Sequence, residues 1–269
     1  MINHASSVKH KVLKAELLRV SSNNAAPLAR QALEQNFACF AQTGVVLGLN
    51  IPASAHAMGP STVAFSAQAK TTMVDDKTDT FNQHLVESFA HSSQLIWLRT
   101  LVPSEASLKL GRLNHPTHLE AVLPRFNRHS WLSLLNAFAL SYPVSNPNTL
   151  LRSGYLEKDG TAVSMRYSES HPDHFVLQID AGTIPDGLTE QQNHILCMSM
   201  LQANHQYSMA SGMVWSIKPD THRAVLSIEC GVFNSDQRAI TEKGLHRLIT
   251  QHVQLSQITW MGVIERVLQ

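Results

Sequence analysis

The strongest constraint on what this chain can fold into is the stretch from Gly154 to Phe233, where strand-like and helix-like patterning alternate almost without gaps. GYLEKDG, TAVSMRYSES and HFVLQIDAG read as three successive strands. The third carries Phe175, Leu177 and Ile179 on one face, with Val176, Gln178 and Asp180 on the other, the period of two of a pleated strand. An apolar helix of about 188–207 follows, with Thr189 as its N-cap. GMVWSIKP and RAVLSIECGVF complete the stretch, and KPDTHR supplies the Pro and Asp of a hairpin reversal between them. A helix precedes this unit within 117–140, and a long one follows over 237–268, opened at Asn234, Ser235 or Asp236. The order predicted is α-βββ-α-ββ-α, an α+β fold.

Upstream the pattern is weaker. Residues 1–8 are small and polar, and Val8–Val20 suits a basic amphipathic turn or two. SSNNAAP opens a helix over about 27–47, which LGLNIP ends at Gly48 and Pro52. STVAFSAQAKTTMV (61–74) has strand character, TFNQHLVESFA (80–90) reads as helix, and QLIWLRTLV (94–102) and ASLKLGRL (106–113) read as strands. Two domains are expected, 1–127 and 128–269.

Composition excludes several function classes. Apolar residues make up 43% of the 269 and charged ones only 15%, with a net charge of +1, too little basic excess for binding that relies on neutralising nucleic-acid phosphates. Cys39, Cys197 and Cys230 are far apart in apolar segments, as buried thiols of a reducing compartment would be. Fifteen histidines are present without HExxH or CxxC spacing, and His194 with Cys197 is a two-ligand coincidence one helical turn apart. No metal or cofactor is expected. The segment 37–57 ends in a small-x-small sequence like a signal-peptidase site, yet some 36 residues precede it and Gln42, Asn50 and Pro52 interrupt it. It is read as soluble helix and turn.

The second half resembles the class I type III secretion chaperones, the Tir-chaperone (CesT-like) family. The likeness rests on the helix ending ILCMSMLQANHQYSMASG, the pair MVWSIKP and RAVLSIECGVF, the terminal ITWMGVIERVL, and the preceding meander YLEKDGTAVSMRYSES and FVLQIDAG. It covers about residues 129–269. It implies a non-enzymatic, dimeric protein of the bacterial cytoplasm that holds the N-terminal segment of a secreted effector in extended form. Sheet faces and strand edges are suited to that task. The candidate effector-binding residues are Trp131, Leu134, Leu135, Phe138, Val163, Met165 and Tyr167, and the candidate dimer or pseudo-dimer interface is Met213, Trp215 and Ile217.

Members of the family are about half this length, so 1–127 needs an account. One is a degenerate second copy, giving an intramolecular pseudo-dimer. On that account LGLNIP (47–52) pairs with FALSYP (138–143), TVAF with AVSM, LVESFA with LCMSML, LIWL with MVWS, and HLEAVLPRFNRHSW with HRLITQHVQLSQITW. The other is an effector-like or unrelated segment joined to a chaperone. An enzyme is the remaining class, a Cys–His hydrolase with Cys39 or Cys230 as nucleophile.

Overall fold

The computed structural model describes residues 10–43, 46–51, 62–72, 126–168, 172–233 and 238–269. The expected α+β architecture is present, with two antiparallel sheets of three and five strands and helices against them. The chain divides into two compact units, Met1–Lys109 with Cys197–Ser211, and Leu110–Leu196 with Gly212–Gln269.

From Arg128 onward the chain follows the expected element order, with one short helix added. Helix α2 (Arg128–Ser141) is followed by a short α3 (Pro147–Ser153), then β4 (Tyr155–Lys158), β5 (Thr161–Tyr167) and β6 (His174–Thr183). Helix α4 (Glu190–Ser211) precedes β7 (Met213–Lys218) and β8 (Arg223–Gly231), and α5 (Glu242–Leu268) closes the chain. The sheet order is β4-β5-β6-β8-β7. Asn127 caps α2 by accepting from the Ser130 N–H. Thr189 and Gln192 form a reciprocal capping box ahead of α4. Helix α5 is capped by Thr241, five residues beyond the latest of the three caps expected from sequence, because the Thr241 hydroxyl reaches the Gly244 N–H. Its buried stripe of Leu245, Ile249, Val253, Ser256, Trp260 and Val267 lies against the core. Gly182 of β6 lets it approach closely, since a Cβ there would collide with the Trp260 indole.

The first unit consists of β1 (His10–Ser21), α1 (Ser22–Thr43), β2 (Val46–Asn50) and β3 (Thr62–Thr72), in sheet order β1-β3-β2, with Cys197–Ser211 of α4. Three expectations are corrected here. Residues 10–21 form a strand rather than amphipathic turns, because they pair with β3 along nearly its whole length. Helix α1 starts at Ser22 and ends at Thr43, and LGLN is a strand rather than a helix stop. The strand at 61–74 is present as β3, buried on both faces from Val63 to Gln68. The expected elements at 80–90, 94–102, 106–113 and 117–125 lie outside the described residues.

One element order occurs twice along the chain, β1-α1-β2-β3 and β6-α4-β7-β8, each with a 22-residue helix after its first strand, and in each sheet the last of these strands lies between the other two. The correspondence extends to single residues. The β1–β3 ladder slips between Glu16 and Leu18, opposite Ser66 and Phe65. The β6–β8 ladder slips between Asp180 and Gly182, opposite Val225 and Ala224. Superposing the β2–β3 register, Leu47↔Ala67, on the β7–β8 register, Trp215↔Leu226, brings these bulges to the same place. In the helices, Ala29, Ala32, Leu33, Asn36 and Phe40 of α1 are buried, and so are Cys197, Met200, Leu201, Asn204 and Ser208 of α4, each pair 168 residues apart.

This registration replaces the equivalences expected from sequence. LGLN corresponds to WSIK of β7, not to the end of α2, and TVAF belongs to the counterpart of β8, not of β5. Alignment on apolar runs alone slides by whole elements, because one apolar strand looks like another; strand order and the bulge remove that freedom. LVESFA, LIWL and most of HLEAVLPRFNRHSW lie outside the described residues.

Candidate functional site

Of the residues singled out for effector binding, Trp131 and Tyr167 meet in one aromatic cluster of the second unit, while Phe138 packs on Tyr142 and His246. Helix α2 presents Trp131, Leu134, Leu135 and Phe138 along one buried face, as the i, i+3, i+4, i+7 spacing requires. Trp131 stacks on Tyr167 of β5 at a centroid distance of 5.6 Å and packs on Phe175 of β6 at 5.0 Å. Phe126 meets Tyr167 edge-on at 5.6 Å, and the Tyr167 hydroxyl donates to the Phe126 carbonyl. Val163 and Met165 are buried beside them, and Tyr167 is half-buried. Burial of this degree makes the group the interior of the unit, on which any binding surface is carried.

Of the row on β7, Ile217 is fully buried, Met213 half-buried, and Trp215 packs against Trp260 of α5 at 6.1 Å. That face of the sheet is therefore covered from within its own unit. The opposite face carries Val214, Ser216, Val225, Ser227 and Gln178, all buried as well. Its polar groups are paired: the Gln178 amide donates to the Ser227 hydroxyl, and the Ser216 hydroxyl to the Val225 carbonyl.

The first unit holds an arrangement that the sequence reading missed. The Asn36 side chain of α1 bonds both backbone groups of Leu47 in β2, donating to the carbonyl at 2.9 Å and accepting from the N–H at 2.8 Å. Asn204 of α4 donates to the same carbonyl. At the next residue, His205 Nδ1 lies 2.8 Å from the Ser66 hydroxyl and 2.9 Å from the Gln68 amide nitrogen, which also donates to the His205 carbonyl. The helix comes this close because Gly48 has no side chain; a Cβ there would sit 2.7 Å from the His205 nitrogen. Ser66 and His205 have the residue types of a catalytic pair, but Ser66 is buried in mid-strand and the pair ties strand to helix.

The signal that could have revealed this is short. LEQNFACFAQTG (33–44) and LQANHQYSMASG (201–212) share Leu, Asn and Gly at identical spacing, 168 residues apart, and Val46 and Val214 continue the match. The Asn of each copy, Asn36 in α1 and Asn204 in α4, reaches Leu47.

The thiol chemistry opposes activation. Burial pushes Cys197 up to about 11, against a lowering by Arg30 and with a further rise from Glu34. Burial and then Glu229 push Cys230 up to about 12, against a lowering by the Leu177 backbone. Such thiols are protonated at neutral pH, whereas a nucleophilic cysteine needs its thiolate. The side chain of Cys39 lies outside the described residues. Among the described residues no three His, Cys, Asp or Glu side chains gather as a metal site, and His194 with Cys197 acquires no third partner. No described helix is long and apolar enough to cross a membrane. Comparison with protein-family models, curated proteins and solved structures returned no match.

Proposed function

We propose that the chain is a tandem secretion chaperone of the type III class, carrying two copies of the chaperone fold in one polypeptide. It would hold the N-terminal region of an effector extended in the bacterial cytoplasm, without ATP and without turnover. The observation that carries the reading is the repeated strand-helix-strand-strand motif, with its bulge in register. Helix α4 and its preceding meander are the segments that resemble the family, and α1 repeats the helix's Leu-Asn-Gly signature. Class I chaperones act as two-fold dimers, and a tandem chain supplies both halves as an intramolecular pseudo-dimer. Linking the halves replaces association by an effective concentration on the order of millimolar.

The alternative, an effector-like segment fused to a chaperone, is less well supported, because 10–21, 46–50 and 62–72 pair as a sheet and 22–43 forms a helix, unlike an extended ligand. The test is to mix the full chain with N-terminal fragments of effectors from a type III-secreting bacterium. A stable complex on gel filtration without nucleotide is expected. Hydrolytic activity abolished by Cys39→Ala or Cys230→Ala would overturn the reading.

A further inference from the structure

We propose that the junction of Asp186 and Gly187 is a modification site, where the aspartate converts to isoaspartate and so becomes a substrate for a methyltransferase that esterifies isoaspartyl carboxylates. The sequence holds two Asp-Gly dipeptides, Asp159–Gly160 and Asp186–Gly187. Glycine is the following residue that least hinders the reaction, because no Cβ stands beside its nitrogen. That nitrogen attacks the side-chain carboxyl carbon of the aspartate. A C–N bond forms, the carboxyl C–OH bond breaks, and the amide proton leaves with the hydroxyl as water. Water then opens the five-membered succinimide at either carbonyl. One opening returns aspartate; the other leaves isoaspartate, whose main chain runs through Cβ and Cγ. The step consumes no oxidant, metal or cofactor.

The fold separates two dipeptides that are alike in sequence. Asp159 and Gly160 make the two-residue hairpin turn between β4 and β5, closed by the Lys158↔Thr161 pair, and both have positive φ, 51° and 74°. In that left-handed region ψ is about +47°, which turns the Gly160 nitrogen to the far side of Cα from Cβ. The Asp159 carboxylate also has a partner, the Lys158 ammonium at 3.3 Å. Attack at Asp159 therefore requires the hairpin to open. Asp186 and Gly187 lie in the turn between β6 and α4, and both are exposed. Asp186 lies outside the left-handed region. Among the described residues its carboxylate has no ion pair or hydrogen bond, and the Gly187 N–H has no acceptor. A side chain at Gly187 would meet nothing within 4 Å. Rotation that brings the Gly187 nitrogen onto the Asp186 carboxyl thus breaks no hydrogen bond. The extra main-chain bond of isoaspartate falls three residues before Thr189, whose capping box with Gln192 opens α4.

The experiment is incubation of the full chain at pH 6 and 37 °C, with isoaspartate located by tandem mass spectrometry. A second readout is methyl transfer from S-adenosylmethionine by an isoaspartyl methyltransferase, in which the isoaspartyl carboxylate takes the methyl group and S-adenosylhomocysteine leaves. In the native protein isoaspartate should accumulate at residue 186 at least tenfold faster than at residue 159. In urea that unfolds the chain, the two rates should come within a few fold of each other. Asp186→Glu keeps the charge but would have to close a six-membered ring, so it should abolish the methyl label, whereas Asp159→Glu should leave it. The isomerised protein should show faster hydrogen exchange in the first turn of α4.

Equal native rates at the two sites, or a faster reaction at Asp159, would overturn the proposal. So would a preference for Asp186 that persists undiminished in urea, since its cause would then be the flanking residues and not the fold. A methyl label that survives Asp186→Glu would place the isoaspartate elsewhere and overturn it equally. Unchanged exchange at the start of α4 would remove the link to the capping box. The inference does not rest on the chaperone reading, and neither result bears on the other.

Discussion

Replacing Gly48 by alanine tests how closely the two ends of the first unit's packing are matched. Alanine is normally the better residue in a strand, by roughly 0.5–1 kcal/mol. Gly48 does not use a left-handed backbone, so the substitution should stabilise if space were open. It is not: the added Cβ would lie 2.7 Å from the His205 nitrogen, 2.8 Å from its Cα and 2.9 Å from its Cβ. Two of those atoms are helix backbone, which cannot rotate away. Restoring ordinary contact means moving α4 by more than half an ångström. Overpacking of this kind costs about 1–3 kcal/mol. The shift also stretches the bonds from Gln68 and Asn204, each worth about 0.5–1.5 kcal/mol. A net loss of about 2–4 kcal/mol is expected, which lowers the melting temperature by roughly 5–15 °C for a chain of this size. Calorimetry of Gly48→Ala beside Gly262→Ala is the assay, since Gly262 lies in mid-helix with nothing within 4 Å and should gain about 1 kcal/mol. A Gly48→Ala protein as stable as the parent would refute the packing described here.

Asn36→Ala leaves the buried Leu47 N–H without its side-chain partner and the carbonyl with Asn204 alone, so a loss of about 1–3 kcal/mol is expected in chemical denaturation. Trp215→Ala should cost about 3–5 kcal/mol, as the loss of a ring packed on Trp260; retained stability with weakened assembly would instead place Trp215 at an interface. Cys197 and Cys230 should resist iodoacetamide at pH 8 in the native protein and react in denaturant. Their thiols titrate higher in the folded than in the unfolded chain, so the stability they contribute is complete below about pH 9 and falls as pH rises towards 11 to 12. A denaturation midpoint that rises over that interval would contradict their burial.

The second unit was legible in sequence because its signals are local. Period-two alternation at Phe175, Leu177 and Ile179, the Thr189 cap and the KPDTHR reversal each act within a few residues. The first unit was less so. Val8–Val20 lacks clean alternation because its strand contains a bulge, which reverses the inward face partway along. LGLN reads as a helix stop because Gly48 signals a break locally, whereas its reason lies 157 positions away at His205. The residues expected to bind a client illustrate a different limit. The spacing of Trp131, Leu134, Leu135 and Phe138 identified one apolar face, but a buried face and a client-binding face have the same pattern. Only packing on Tyr167 and Phe175 assigned it to the interior. The Leu-Asn-Gly repeat was readable throughout, but it surfaces only when two distant helices are set side by side.

The central claim is that one chain carries both halves of a chaperone dimer. Its most direct test is light scattering on the full-length protein across a hundredfold range of concentration. The account predicts a monomer of 29.8 kDa throughout, while a fragment of 129–269 alone dimerises or aggregates through its uncovered partner face. A full-length dimer that persists on dilution, and survives removal of 1–127, would contradict it.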